Sequence, residues 1–97
     1  MREIIIEPYT EDAIIELCDF VESKNTMGSG ERFYKRLLDF IESYATITNL
    51  KFPLCQNKNF AVRKWSCIIF QDKWVIAFSY SENKMTIHRF VLGSKLK

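Results

Sequence analysis

Apolar side chains keep two different rhythms along this chain, a helical one in the first half and an alternating one in the second. Ile14, Leu17, Cys18 and Val21 recur at i, i+3, i+4 and i+7, the spacing of one buried helical stripe, with Glu16, Asp19 and Glu22 largely outside it. Thr10 is placed to cap this helix, because Glu11 and Asp12 then fall in the first turn, where carboxylates favour the positive end of the helix dipole. Ile15 and Phe20 lie off the stripe and imply a second contact. The stretch Asn25-Thr-Met-Gly-Ser-Gly30 breaks the rhythm, and Ser29 can cap a second helix beginning near Gly30, carried by Phe33, Leu37, Phe40, Ile41 and Tyr44. Two helices joined by so short a link make a hairpin. Ahead of them, Arg2 to Glu7 is rich in isoleucine and ends at Pro8, which restricts Glu7, so it reads as a first strand.

From about Thr46 to Phe60 no period is sustained, and Pro53, Gln56, Asn57 and Asn59 mark a loop. Three strands follow, over about Ala61 to Phe70, Lys73 to Tyr80 and Lys84 to Leu92, dense in Trp, Ile, Val, Phe and Tyr. Gln71-Asp72 and Glu82-Asn83 leave room only for antiparallel hairpins, with Asn83 suited to a left-handed conformation. The result is an α+β domain of β-α-α-β-β-β order. Strict alternation in the last strand puts Met85, Ile87, Arg89 and Val91 on one face and Thr86, His88, Phe90 and Leu92 on the other. His88 and Arg89 therefore point apart unless a bulge intervenes. Both faces are mostly apolar, so a partner chain, the carboxyl-terminal segment or a substrate is expected to cover part of the second face.

Composition narrows the class. With 97 residues, 47% hydrophobic and only three Gly, the chain is a single globular domain over residues 1–97. Its apolar runs are too short to span a bilayer and its first residues lack a secretory signal pattern, which places it in the cytoplasm with no membrane partner. Cys18, Cys55 and Cys67 are odd in number, widely spaced and without CxxC pairing, so neither a disulfide framework nor a metal site is expected; Cys18 and Cys67 read as small buried hydrophobes. No glycine loop for phosphate, paired catalytic carboxylates or cofactor motif is visible. Charge changes the picture more. Residues 1–50 hold five basic side chains against ten acidic ones, while residues 51–97 hold nine basic against only Asp72 and Glu82.

The order of elements, Phe52-Pro53 ahead of a strand carrying Val62-Arg63, and above all the closing hairpin KWVIAFSYSENKMTIHRFVLGSKLK resemble the RelE/ParE superfamily of bacterial toxin–antitoxin toxins, also known as plasmid stabilisation proteins. Thr86-Ile87-His88-Arg89-Phe90-Val91-Leu92-Gly93-Ser94 falls on that family's Ile-x-Ile-x-Arg-Val-x-x-Gly type of final strand. In topology the resemblance covers essentially the whole chain; in residues it rests on this hairpin and Arg63. It implies a curved antiparallel sheet packed against a helical hairpin and a cognate antitoxin as partner, alone or in a homo- or hetero-oligomer.

The resemblance also implies two kinds of target. RelE-like members cut messenger RNA on the ribosome without a metal, which requires a base for the 2′-hydroxyl and cations for the phosphate. His88, as acid or base, and Arg89 are the catalytic candidates for that reading. ParE-like members bind DNA gyrase. The middle strand, Trp74 to Tyr80, carries no basic or acidic side chain and the chain ends Gly-Ser-Lys-Leu-Lys, departures that place it closer to ParE. Arg63, Lys64, Arg89, Lys95 and Lys97 are then the residues expected to meet target or antitoxin. A non-toxic binding module of the same fold is the third possibility.

Overall fold

The computed structural model describes residues 1–95. Strand β1 (Glu3–Ile6) leads into helices α1 (Pro8–Lys24) and α2 (Ser29–Ala45). After a long connection come one helical turn, α3 (Lys58–Ala61), strands β2 (Ser66–Phe70), β3 (Trp74–Tyr80) and β4 (Lys84–Leu92), and a 3-10 turn at Gly93–Lys95. The α+β class stands, with α3 an addition. The sheet order is β1-β4-β3-β2: β2, β3 and β4 form an antiparallel meander, whereas β1 runs parallel to β4. The sheet is thus mixed rather than antiparallel throughout. β1 is followed by a helical hairpin instead of a tight turn, and only so long a crossover allows parallel pairing with a later strand.

The core lies between the hairpin and one face of the sheet. Phe33, Leu37, Ile41 and Ala45 of α2 are buried at four-residue spacing against Ile68, Phe70, Ile76, Phe78, Met85, Ile87 and Phe90, and α1 adds Ile14. Burying one such large side chain contributes about 1.5–3 kcal/mol, so this layer is the main stabilising term. Ile15 and Phe20 are exposed, at 47% and 58%, so the described residues do not bury the second contact inferred for them.

Local chemistry shifts both helix starts. α1 begins at Pro8, whose missing N–H costs nothing in the first turn, and Thr10 sits inside the helix, donating its hydroxyl to the His88 carbonyl at 2.5 Å instead of capping. α2 begins at Ser29 behind Gly28, and the cap is Glu22 from across the turn, whose carboxylate accepts the Gly28 and Gly30 N–H groups at 2.6 and 2.8 Å. Those two N–H groups, Gly30 first, hold the Glu22 carboxyl below the usual glutamate range. Gly30 is also where the helices touch: a Cβ there would lie 2.5 Å from the Cys18 carbonyl oxygen.

At the sheet, Gln71 and Asp72 have φ of 53° and 60°, the left-handed pair at the centre of a turn that the Lys73 N–H closes onto the Phe70 carbonyl at 3.3 Å, with Lys73 completing the three-residue link between β2 and β3. Asn83 is not left-handed; the second hairpin closes through Ser81 N–H to the Lys84 carbonyl at 2.8 Å. β2 starts at Ser66, so Arg63 precedes the strand instead of riding on it. The long connection folds over the sheet's outer face, where Cys55, Phe60, Trp65 and Ala77 form a second small core with Cys67 and Val91. This connection covers part of that face, the role assigned above to a partner, the carboxyl-terminal segment or a substrate, and leaves Ile69 exposed. Cys55 and Cys67 are joined in a disulfide with Cα atoms 4.9 Å apart, which overturns the expectation that the cysteines stay unpaired and the reading of Cys67 as a small buried hydrophobe. A local antiparallel bridge prepares the pairing: Cys55 N–H donates to the Trp65 carbonyl and Leu54 bridges to Ser66, which lays Cys55 beside the start of β2, diagonally within reach of Cys67. Cys18 is the free one. No helix among the described residues is long and apolar enough to cross a membrane.

Candidate functional site

A bulge in β4 builds the site. Trp74 to Ala77 pair with Leu92 to Arg89 in one register, but Phe78 pairs with Ile87, so His88 is an extra residue with no partner on β3. The cause is packing: Ile87 and Phe90 are both core residues, 0% and 9% exposed, and inserting one residue lets both point inward. Strict alternation would have driven Arg89 into the core and Phe90 out of it. The bulge instead turns His88 and Arg89 onto the same outer face, the condition under which the two can share a site. Its backbone is satisfied by side chains, since the His88 carbonyl accepts from Thr10 Oγ1 and, at 2.7 Å, from Arg89 Nη1.

Strands β3 and β4 and the residue between β1 and α1 then contribute side chains to one hydrogen-bonded chain. Pro8 keeps Glu7 extended (ψ 141°), and the Glu7 N–H donates to the Ile87 carbonyl at 3.1 Å, which seats Glu7 beside the bulge. Its Oε1 meets Nδ1 of His88. On the other side of the ring, Nε2 lies 2.7 Å from Ser79 Oγ of β3. A carboxylate can only accept, so Nδ1 carries the ring proton in the neutral imidazole and Nε2 is left to accept the Ser79 hydroxyl. Glu7 Oε2 lies 3.6 Å from Arg89 Nη1. At 37% and 31% exposure this ion pair contributes about 0–1 kcal/mol, so it orients the groups more than it stabilises the fold.

Trp65 roofs the ring. Its indole stacks on the imidazole with centroids 4.3 Å apart and planes 6° from parallel. The Arg63 and Arg89 guanidinium carbons lie 4.9 and 5.4 Å from the Trp65 ring, and Arg89 also lies 5.8 Å from the Tyr9 ring. Arg63, His88 and Arg89 are therefore gathered around one indole. Lys64, left-handed at φ 60°, is exposed on the same turn as Arg63. Lys95 ends the 3-10 turn whose Gly93 bonds to Lys73, at the far end of β4 from Glu7, and Lys97 lies outside the described residues. Glu7, Ser79 and Trp65 had no part in the expected site; the one signal for them was the misplacement of Arg89 and Phe90 under strict alternation.

The site is an open face. Two concavities of about 490 and 380 Å³ lie elsewhere, between α1 and α2 and beside the disulfide. Among the described residues no group of three or more His, Cys, Asp and Glu converges to hold a metal ion. Compared with known proteins, the chain matches no family model, no curated protein and no solved structure.

Proposed function

We propose that this chain is the toxin of a type II toxin–antitoxin pair, a cytoplasmic RelE/ParE-like domain that cuts messenger RNA without a metal. The bulge at His88 carries the reading: it turns His88, with the Ser79 hydroxyl on its ring, and the Arg89 guanidinium onto one outer face, and Arg63 joins them over Trp65, so that a phosphodiester there meets the hydroxyl and both guanidinium groups at once. Opposite orientation of His88 and Arg89 was one reason to favour gyrase binding, and it does not hold. A middle strand without chemistry was another, and Ser79 now stands at the imidazole. An open face suits a polymer, and the basic half of the chain suits an acidic antitoxin segment as well as RNA.

Induced expression in a bacterial host tests this. Growth arrest with ribosome-dependent RNA fragments that vanish in His88→Ala and Arg89→Ala is the expected outcome. Arrest with intact RNA and an induced DNA-damage response would instead support gyrase as target, and no arrest would leave a binding module.

A further inference from the structure

We propose that Ser79 is the catalytic residue that touches the RNA, with His88 acting behind it and Glu7 as a positioning residue. This rests on the RNA-cutting reading. The imidazole is 14% exposed, Trp65 covers one face, Glu7 takes Nδ1 and Ser79 takes Nε2. Every nitrogen of the ring is occupied, so His88 has no free position from which to reach a 2′-hydroxyl directly. Ser79 is half-exposed on the outer face and holds its hydroxyl 2.7 Å from the accepting nitrogen. It is the end of the chain that a ligand on that face can reach.

The proton movement follows from the tautomer. Ser79 Oγ accepts the proton of the substrate 2′-hydroxyl while its own proton passes to His88 Nε2, so that no free alkoxide forms on the serine. The 2′-oxygen bonds to phosphorus, the bond from phosphorus to the 5′-oxygen breaks, and the departing 5′-oxygen takes a proton from solvent water. The products are a 2′,3′-cyclic phosphate and a 5′-hydroxyl, and the imidazolium returns its proton to water. Arg63 and Arg89 neutralise the charge on the phosphate oxygens. Glu7 keeps the ring proton on Nδ1 and holds Arg89, so it acts through both without touching the RNA.

The test uses the full chain, ribosomes programmed with a short messenger, and the isosteric pair Ser79→Thr and Ser79→Val. Both variants suit a strand and differ essentially in the hydroxyl, so a packing effect cancels between them. Ser79→Thr is expected within about 10-fold of the native single-turnover rate and Ser79→Val at least about 100-fold below it, the usual range for an acid–base group. Affinity for a messenger with one 2′-deoxy nucleotide at the cleaved position is expected to be equal in both, since binding does not need the relay. Equal cleavage rates in the two variants, or a phosphate trapped on Ser79, would overturn the relay and leave the RNA-cutting reading intact. Failure of the native chain to cut would overturn both.

Discussion

Reducing the Cys55–Cys67 disulfide should weaken this fold by about 3 kcal/mol. The bond closes a loop with a sequence separation of 12, and chain-entropy reasoning with that length gives close to 9.5 cal/mol/K of restriction on the unfolded chain, or about 3 kcal/mol at 25 °C. A domain of this size has some 5–15 kcal/mol in all, so the loss is a large fraction, equivalent to a fall in Tm of about 12–24 °C. Urea unfolding followed by circular dichroism, with and without a phosphine reductant, measures it. Cys18→Ser supplies the background that prevents exchange; in the native chain burial, and then the charge of Asp19, pushes the Cys18 thiol up. The closed loop carries α3, Arg63 and Trp65, so reduction should also speed hydrogen exchange at the Trp65 and Cys55 amides, which donate to Phe60 and Trp65. Identical midpoints in the two conditions would refute the reasoning. They would mean that Phe60, Trp65 and Ala77 hold the loop by packing alone. The matter bears on function because glutathione keeps most cytoplasmic cysteines reduced.

Three other outcomes are expected. Gly30→Ala should cost about 1–3 kcal/mol in the same unfolding assay, because its Cβ meets the Cys18 carbonyl oxygen and one helix must move off the other. Asp72→Gly should raise Tm by a few degrees, about 0.5 kcal/mol, since glycine adopts φ 60° without the side-chain penalty. Glu22 has a lowered native pKa, so the stability it contributes is full above the ordinary glutamate value of 4.5 and is lost as pH falls through the depressed one; Glu22→Gln should flatten the acid arm of the stability–pH curve.

How much of this could be read beforehand depended on whether the signal was periodic. The α2 stripe and the span Lys84–Leu92 of β4 follow from apolar spacing, and the structure places them there. α3 and the late start of β2 escaped because Asn57 caps a single turn, through its side chain to Phe60 N–H, too short to leave a period. The disulfide escaped because two distant cysteines say nothing until the connection lies down beside β2. The parallel place of β1 escaped because a short isoleucine run gives no direction. The bulge is a different case. Two residues after Ile87 stands an arginine and three after it a phenylalanine, and a strand that must bury the second and not the first has to gain a residue. That inference needs only the knowledge of which face is buried, and the position of Ile87 against α1 and α2 would have supplied it.

The distribution of cations sets what kind of ligand the outer face can hold. Both ion pairs among the described residues end on Glu7, and Lys51, Lys58, Arg63, Lys64, Lys73 and Lys84 have no carboxylate partner among those residues. Lys51, Lys58, Arg63, Lys64, Lys73 and Lys84 are all exposed. At physiological salt an exposed charge is felt over about 8 Å, whereas a nine-residue strand runs about 30 Å, so cations at the two ends of β4 act independently. A small anion would use only the guanidinium pair at Trp65; a strand of RNA would also engage lysines beyond it. The number of phosphates engaged is read from the slope of log affinity against log salt, about −0.7 per phosphate for a single strand. A slope near −0.7 or −1.4 confines recognition to Arg63 and Arg89, and a steeper one, reduced stepwise by Lys64→Ala and Lys84→Ala, requires a polymer laid along the sheet.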